Sequence, residues 1–206
     1  MPAAVAEILS PSPDDPALVE RIAFRTIQPP ITIQPPNPAW PHRFSETKER
    51  IQKALENALI FDIAHSGSTS VPDLPAKDII DVDLILHDPT DEASYVKALE
   101  EAGFRFLLRE PQWYQHRFFV EEWSSTGYHV NLHVWGPDSP EVARHRILRD
   151  WLCKTPADRE LYAKVKWEAA ESTVREGESM VEYTQRKDKI IQEILERAFR
   201  DLGYVE

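Results

Sequence analysis

A single cysteine, Cys153, stands in a chain of 206 residues, and this excludes a framework of internal disulfides. Long apolar runs are lacking too. No early segment has the apolar stretch of a signal peptide, and none approaches the roughly 18 apolar residues of a membrane span. Cytoplasmic residence without membrane association is the resulting expectation. Positive charge is scarce: 24 Lys and Arg against 35 Asp and Glu give a net charge of −11. That balance disfavours bulk attraction to nucleic acid or to an anionic membrane. The scarcity is uneven, however. Residues 144–166 carry seven Lys or Arg against three acids, a net of +4 that leaves −15 for the rest. Such a run serves either as a solvated helical face or as a surface turned towards an anion.

Proline is plentiful at one end, with ten of the 17 prolines in the first 41 residues. That composition resists packed elements, so residues 1–30 read as a Pro-rich arm with a short helix possible over Ala17–Ile27. The domain is placed at 31–200, a length that buries enough apolar surface to fold without staples.

Within the domain, 45–59 has helical periodicity, with Ser45 as a cap and Ile51, Leu55, Ala58 and Leu59 on one face. Ile60–Ala64 reads as a strand, and Ile79–Leu86 as the strongest strand of the chain. A helix over Asp91–Ala102 is stopped by Gly103. Phe104–Leu108, His116–Val120 and Tyr128–Trp135 follow as strands. Ser139-Pro140, Thr155-Pro156 and the capping-box spacing of Ser179 and Glu182 open three final helices. The order gives an α+β fold, with helices packed on one side of a mixed sheet and a helical C-terminal third.

The chemistry centres on Asp81 and Asp83. Strand alternation turns both to one face while Ile80, Val82, Leu84 and Leu86 take the other. Paired carboxylates at this spacing suit Mg²⁺ or Mn²⁺, ions that bind phosphate oxygens at the same time. An exposed strand face carries such pairs as well. Gly67-Ser68-Thr69-Ser70 leaves the preceding strand about a dozen residues earlier, and a small-residue loop there can aim amides and hydroxyls at phosphate. Taken alone it is an ordinary turn. Together the two segments describe a cleft for the phosphates and metals of a nucleoside triphosphate. On Tyr128–Trp135, His129, Asn131, His133 and Trp135 share a face opposite Val130, Leu132 and Val134. That face is either functional or hydrated.

The string His65-Ser66-Gly67-Ser68-Thr69-Ser70-Val71-Pro72, followed by Ala76-Lys77 and Ile79-Ile80-Asp81, resembles the GrpB family of the nucleotidyltransferase superfamily. Flanking similarities are Pro38-Ala39-Trp40-Pro41, Gly103-Phe104, His116-Arg117, Leu132-His133-Val134, Arg149-Asp150, and Tyr183-Thr184 with Lys187. The resemblance spans about 32–198 and implies a nucleotidyltransferase-like α+β fold without an assigned reaction. Three departures stand out. Asp73 and Asp78 replace the Gly and Pro that the family pattern favours. Asn131 sits where the first His of a His-x-His strand is expected. The facing strand offers no third carboxylate.

The leading expectation is a metal-dependent nucleotidyltransferase, with Asp81 and Asp83 as ligands of Mg²⁺ or Mn²⁺. Lys77 and His133 join them as catalytic groups, and Lys77, Arg117 and His133 neutralise developing charge. Substrate contacts fall to His65, Gly67, Ser68, Thr69, Ser70, Arg117, His129, Asn131 and Arg149. One alternative is metal-free aminoacyl transfer from the acceptor end of a tRNA, motivated by the basic run. Another is a non-catalytic nucleotide-binding protein.

Overall fold

Strand β3 (Ile79–Leu86) is nearly continuous in Ile, Val and Leu, and that is why it occupies the interior of the sheet. It runs antiparallel to β2 (Ile60–Ser66) and parallel to β6 (His129–Trp135). Adding β1 (Glu20–Arg21), β4 (Arg105–Glu110) and β5 (His116–Glu121) gives a six-stranded mixed sheet in the order β1-β4-β5-β6-β3-β2. The computed structural model describes residues 4–10, 16–56, 59–122 and 127–206.

One face of the sheet carries Ile80, Val82, Leu84, Leu86, Val130, Leu132 and Val134, all buried against α2 (Trp40–Ala54) and α3 (Val96–Glu101). Each such side chain contributes about 1.5–3 kcal/mol on burial. The first helix of the domain starts earlier than expected, at Trp40 rather than after Ser45. Pro41 fits its first turn, where no N–H is needed, and the Asn37 side chain accepts from the Ala39 amide at 2.9 Å. That helix ends at Ala54, and Ala58 lies outside the described residues. The helix expected over Asp91–Ala102 is broken at Tyr95 into a 3-10 turn, Glu92–Ser94, and α3.

The opposite face is roofed as well, which corrects the expectation of helices on one side only. Val142 of α4 (Pro140–Lys154) packs on Ile85 and Trp135. α5 (Pro156–Glu176) and α6 (Met180–Asp201) complete a helical layer, in which Leu152, Tyr162 and Ile194 bury Val71 and Leu74 of the loop after β2. The capping box of α6 forms as its spacing predicted: Ser179 accepts from the Val181 amide, and Glu182 accepts from the Ser179 amide.

The N-terminal arm also differs from its reading. α1 (Val5–Leu9) buries Ile8 beside α4, and the Arg144 guanidinium donates to the carbonyls of Glu7, Ile8 and Ser10. No helix covers Ala17–Ile27. A 3-10 turn, Pro16–Leu18, is followed by β1, which pairs antiparallel with the outer edge of β4. The exposed ladder groups of an edge strand are a template for such pairing, and here it overrides the helical pattern.

Candidate functional site

The loop after β2 is shaped by its own residues. Gly67 has φ +64° and ψ −170°, a region open essentially to glycine alone. A Cβ there would lie 2.1 Å from Asp81 Oδ2, so glycine also permits the loop to close on the aspartate. Thr69 is buried and donates to the Ile79 carbonyl at 3.1 Å. Its hydroxyl has one proton, so the 3.0 Å contact with His65 Nε2 is a bond donated by the imidazole. His65 stacks on Phe44 of α2 at 4.6 Å, and burial, then the charge of Arg149, push its pKa down to about 4. Ser70 donates to the Gly67 carbonyl at 2.6 Å. The side chains of His65, Thr69 and Ser70, expected to touch substrate, brace the loop, and Thr69 also lines the cleft beside it.

Gly67, Ser68 and Asp81 line a two-lobed cleft between the loop, β3 and the C-terminal helices. The smaller lobe, about 250 Å³, adds Lys77, Asn131, Tyr162, Lys166, Tyr183 and Lys187. The larger, about 340 Å³, adds His133, His145, Arg149 and Thr184. Asp81 is the one carboxylate among the described residues lining either lobe. Lys77 and Lys187 hold their ammonium groups 4.7 and 4.5 Å from the Tyr183 ring, and Lys166 lies 4.8 Å from that of Tyr162 while donating to the Pro75 carbonyl. Burial, and then the neighbouring ammonium groups, lower Lys77 to about 8 and Lys166 well below the usual lysine range. Three lysine side chains crowd a space lined by one carboxylate.

Asp83, two residues along the same strand face, has a different environment. It is 1% exposed and lines neither lobe. Trp135 Nε1 donates to its Oδ1 at 3.0 Å, and His145 Nδ1 of α4 lies 2.9 Å from its Oδ2. Burial opposes the charge of His145, but Asp83 overcomes it and raises the imidazole to about 9, so the two form an ion pair. Beside them runs a hydrogen-bonded chain. Glu110 Oε2 meets His116 Nδ1 at 2.6 Å, and His116 Nε2 meets His133 Nδ1 at 3.0 Å. Burial holds His116 at about 3 and His133 at about 4, so both imidazoles are neutral.

A two-metal centre on Asp81 and Asp83 does not fit this geometry. Both Asp83 oxygens are committed, and no three His, Cys, Asp or Glu side chains among the described residues converge to hold an ion. Asp81 alone fits a single hard cation shared with substrate oxygens, the usual habit of Mg²⁺. Asn131 donates to Asp81 Oδ1 at 2.7 Å. Arg117 is a further correction. Its register partner is Val134, which turns it to the α2 face, where it pairs with Glu92 at 2.9 Å. His129 shares the face of Asn131 but is 4% exposed and lines neither lobe.

The basic run also disperses. Arg144 binds α1, Arg146 pairs with Asp62, Lys154 with Asp201 and Lys164 with Glu168, while Lys166 and Arg149 line the cleft. Sequence reasoning missed Arg25, His145, Tyr162 and Lys166. The i,i+4 spacings of His145 with Arg149 and of Tyr162 with Lys166 were available signals. Arg25 had none.

The six-stranded mixed sheet, the Gly-Ser loop closing on an aspartate strand and the helical roof define the α+β class of this protein. Residues 30–197 match the GrpB protein family, and the chain belongs to it. It is 39% identical over 168 residues to a UPF0157 protein of Halalkalibacterium halodurans, covering 82% of each chain. A UPF0157 protein of Pseudomonas aeruginosa is 36% identical over 168 residues, 82% of this chain and 67% of that one. The crystal structure of conserved protein GrpB from Enterococcus faecalis superposes with a TM-score of 0.70, over 84% of this chain and 99% of that chain. At 23% identity, that likeness concerns the fold. No helix among the described residues is long and apolar enough to cross a membrane.

Proposed function

We propose that this chain binds the phosphates of a nucleotide in the two-lobed cleft and transfers a nucleotidyl group to an acceptor hydroxyl or amine. The observation that carries the reading is the convergence of Lys77, Lys166 and Lys187 on the Gly67-Ser68 loop. Ammonium groups held together at mutual cost, in a protein of net charge −11, suit a ligand with several negative charges. Lys187 and Lys77 take phosphate oxygens, and the loop offers amides and the Ser68 hydroxyl. One Mg²⁺ or Mn²⁺ ion, held by Asp81 together with the phosphates, would withdraw charge from the reacting phosphorus. His133, neutral and lining the larger lobe, accepts the acceptor's proton. The acceptor oxygen or nitrogen forms a bond to the α-phosphorus, and the bond to the bridging oxygen breaks as pyrophosphate leaves.

Thermal shift of the full chain tests this. ATP with Mg²⁺ should raise the melting temperature, and Lys187→Ala should abolish the rise while leaving the unliganded melting temperature close to wild type. An absence of any shift with ATP, GTP, CTP and UTP in the wild-type chain removes the reading.

One observation favours a second reading. Asp83 is engaged by His145 and Trp135, which suits chemistry without metal, such as acyl transfer from the acceptor end of a tRNA with His133 as base. The dispersal of the basic run counts against a tRNA partner. Activity that survives EDTA would select this second chemistry over the first.

A further inference from the structure

The family match begins at residue 30, yet a side chain that precedes it bonds a residue lining the cleft. Residues 20–27 form a strap across the end of the sheet. On one side β1 pairs with β4, and the amides of Ile22 and Ala23 donate to the Leu107 carbonyl at 2.9 and 3.1 Å. On the other side the Glu122 carboxylate accepts from the amides of Thr26 and Ile27 at 2.5 and 3.2 Å. Between these pins the chain alternates, with Phe24 exposed and Arg25 turned inward beneath it.

Arg25 passes over the Phe118 ring at 5.7 Å, and its Nη2 donates to Asn131 Oδ1 at 2.5 Å. Asn131 spends its amide on Asp81 and itself lines the lysine-rich lobe. The guanidinium therefore stands directly behind a residue that lines that lobe, close enough for its charge to act on both Asp81 and Lys77. Its other terminal nitrogen, Nη1, is buried and has no hydrogen-bond partner among the described residues. A buried N–H of a charged group is costly when unpaired, and Nη1 makes no hydrogen bond among the described residues to offset that cost. A planar fork can hold an asparagine with one arm and an anion with the other.

We propose that the strap is part of the site, and that Arg25 binds the anionic group of the substrate through Nη1 while Nη2 fixes its orientation against Asn131. The ligand chemistry is that of phosphate oxygens, so the inference rests on the phosphate-cleft reading and adds a binding residue from outside the family segment. It also accounts for Asn131. An amide can accept from Arg25 and donate to Asp81 at once, joining the strap to the cleft; a neutral imidazole offers one acceptor and one donor in fixed opposite directions.

The test uses the full chain and inorganic triphosphate as the probe, with binding measured calorimetrically for wild type, Arg25→Gln, Arg25→Lys and Lys187→Ala. Arg25→Gln should weaken binding about tenfold or more, and Arg25→Lys should recover part of the loss. If Lys187→Ala loses binding while Arg25→Gln binds as wild type does, the inference is overturned and the cleft reading stands. If wild type does not bind triphosphate, both fall. Should Arg25→Gln not yield folded protein, phenylglyoxal modification of wild type replaces it: triphosphate should slow modification of Arg25, and equal rates with and without the probe overturn the proposal.

Discussion

Asp81 and Asp83 sit on the same strand, on the same face, opposite Asn131 and His133 of the same neighbouring strand. Asp81 opens to a cleft among lysines. Asp83 is sealed under α4, neutralised by His145 and fixed by Trp135. Alternation along a strand decides which way a carboxylate points, and it does not decide what lies above it. The roof does that. α4 crosses the sheet so that His145 covers one aspartate, while the Gly67 turn closes on the other and leaves it lining the cleft. One end of the seam is committed to the fold, and the other faces the proposed phosphate cleft.

The sharpest way to break this contrast is to remove each carboxylate in turn. Asp83→Ala leaves a charged imidazole and an indole N–H without an acceptor, and stability should fall by about 3 kcal/mol, the low end for a broken buried pair because His145 is partly exposed. Asp81→Ala should cost less than about 1 kcal/mol yet eliminate any Mg²⁺-dependent gain in nucleotide binding. Urea denaturation followed by ligand titration separates the two. Equal losses of stability would show that the two ends of the seam do not differ as described.

The next test addresses the turn that closes on Asp81. Gly67→Ala forces a Cβ into the Asp81 carboxylate and an alanine into a glycine-only conformation. A loss of about 1–3 kcal/mol should accompany the loss of nucleotide binding, because loop and aspartate can no longer approach. A variant that melts and binds as wild type would mean that the loop has room the structure does not show.

The smallest effect is a pH signature of the sealed end. His145 is raised from 6.5 to about 9, so its contribution is fully present below pH 6.5 and is lost as pH rises through about 9. Asp83 is lowered, chiefly by His145 against the opposing effect of burial. Its contribution is present above 3.8 and lost as pH falls through its folded value. Urea midpoints should therefore decline on the alkaline side in wild type, and His145→Gln should flatten that decline. An unchanged alkaline slope in the variant would assign the decline to other groups.

Much of the ligand end was legible. Gly67-Ser68 and Asp81 come from neighbouring segments whose strand and turn character is local, so spacing brought them together, while Lys77 came from the family resemblance and Asn131 from strand alternation and that resemblance. Residues that act through the roof were not, since His145, Tyr162 and Lys166 reach the cleft only once three helices have packed. Arg117 misled because the His116-Arg117 resemblance does not say which residue of an alternating pair faces the cleft. The register with Val134 answers that, and it exists only in the assembled sheet. His65 at the end of β2 and Thr69 in the loop after it also carry a bracing task that the sequence did not show, because the two side chains hydrogen-bond to each other and Thr69 to the Ile79 carbonyl. The N-terminal segment defeated its composition for another reason: a β4 edge supplies ladder partners that a proline-rich chain cannot supply to itself.

The parallel pairing of β3 with β6 has a consequence in time. Asp81 and Asn131 are 50 residues apart in the chain, and no hairpin can bring parallel strands together. The loop-closure entropy for that distance must be met before the seam returns any contact, which makes such pairings slow relative to helices and hairpins. The antiparallel β4–β5 and β2–β3 pairs are more local and can form first. The half of the molecule that carries the cleft is therefore assembled late, around a seam that also carries the buried ion pair. A nucleotide or polyphosphate that recognises the finished cleft acts on the final stage of folding and slows its reversal, leaving the early rate to the helices and hairpins.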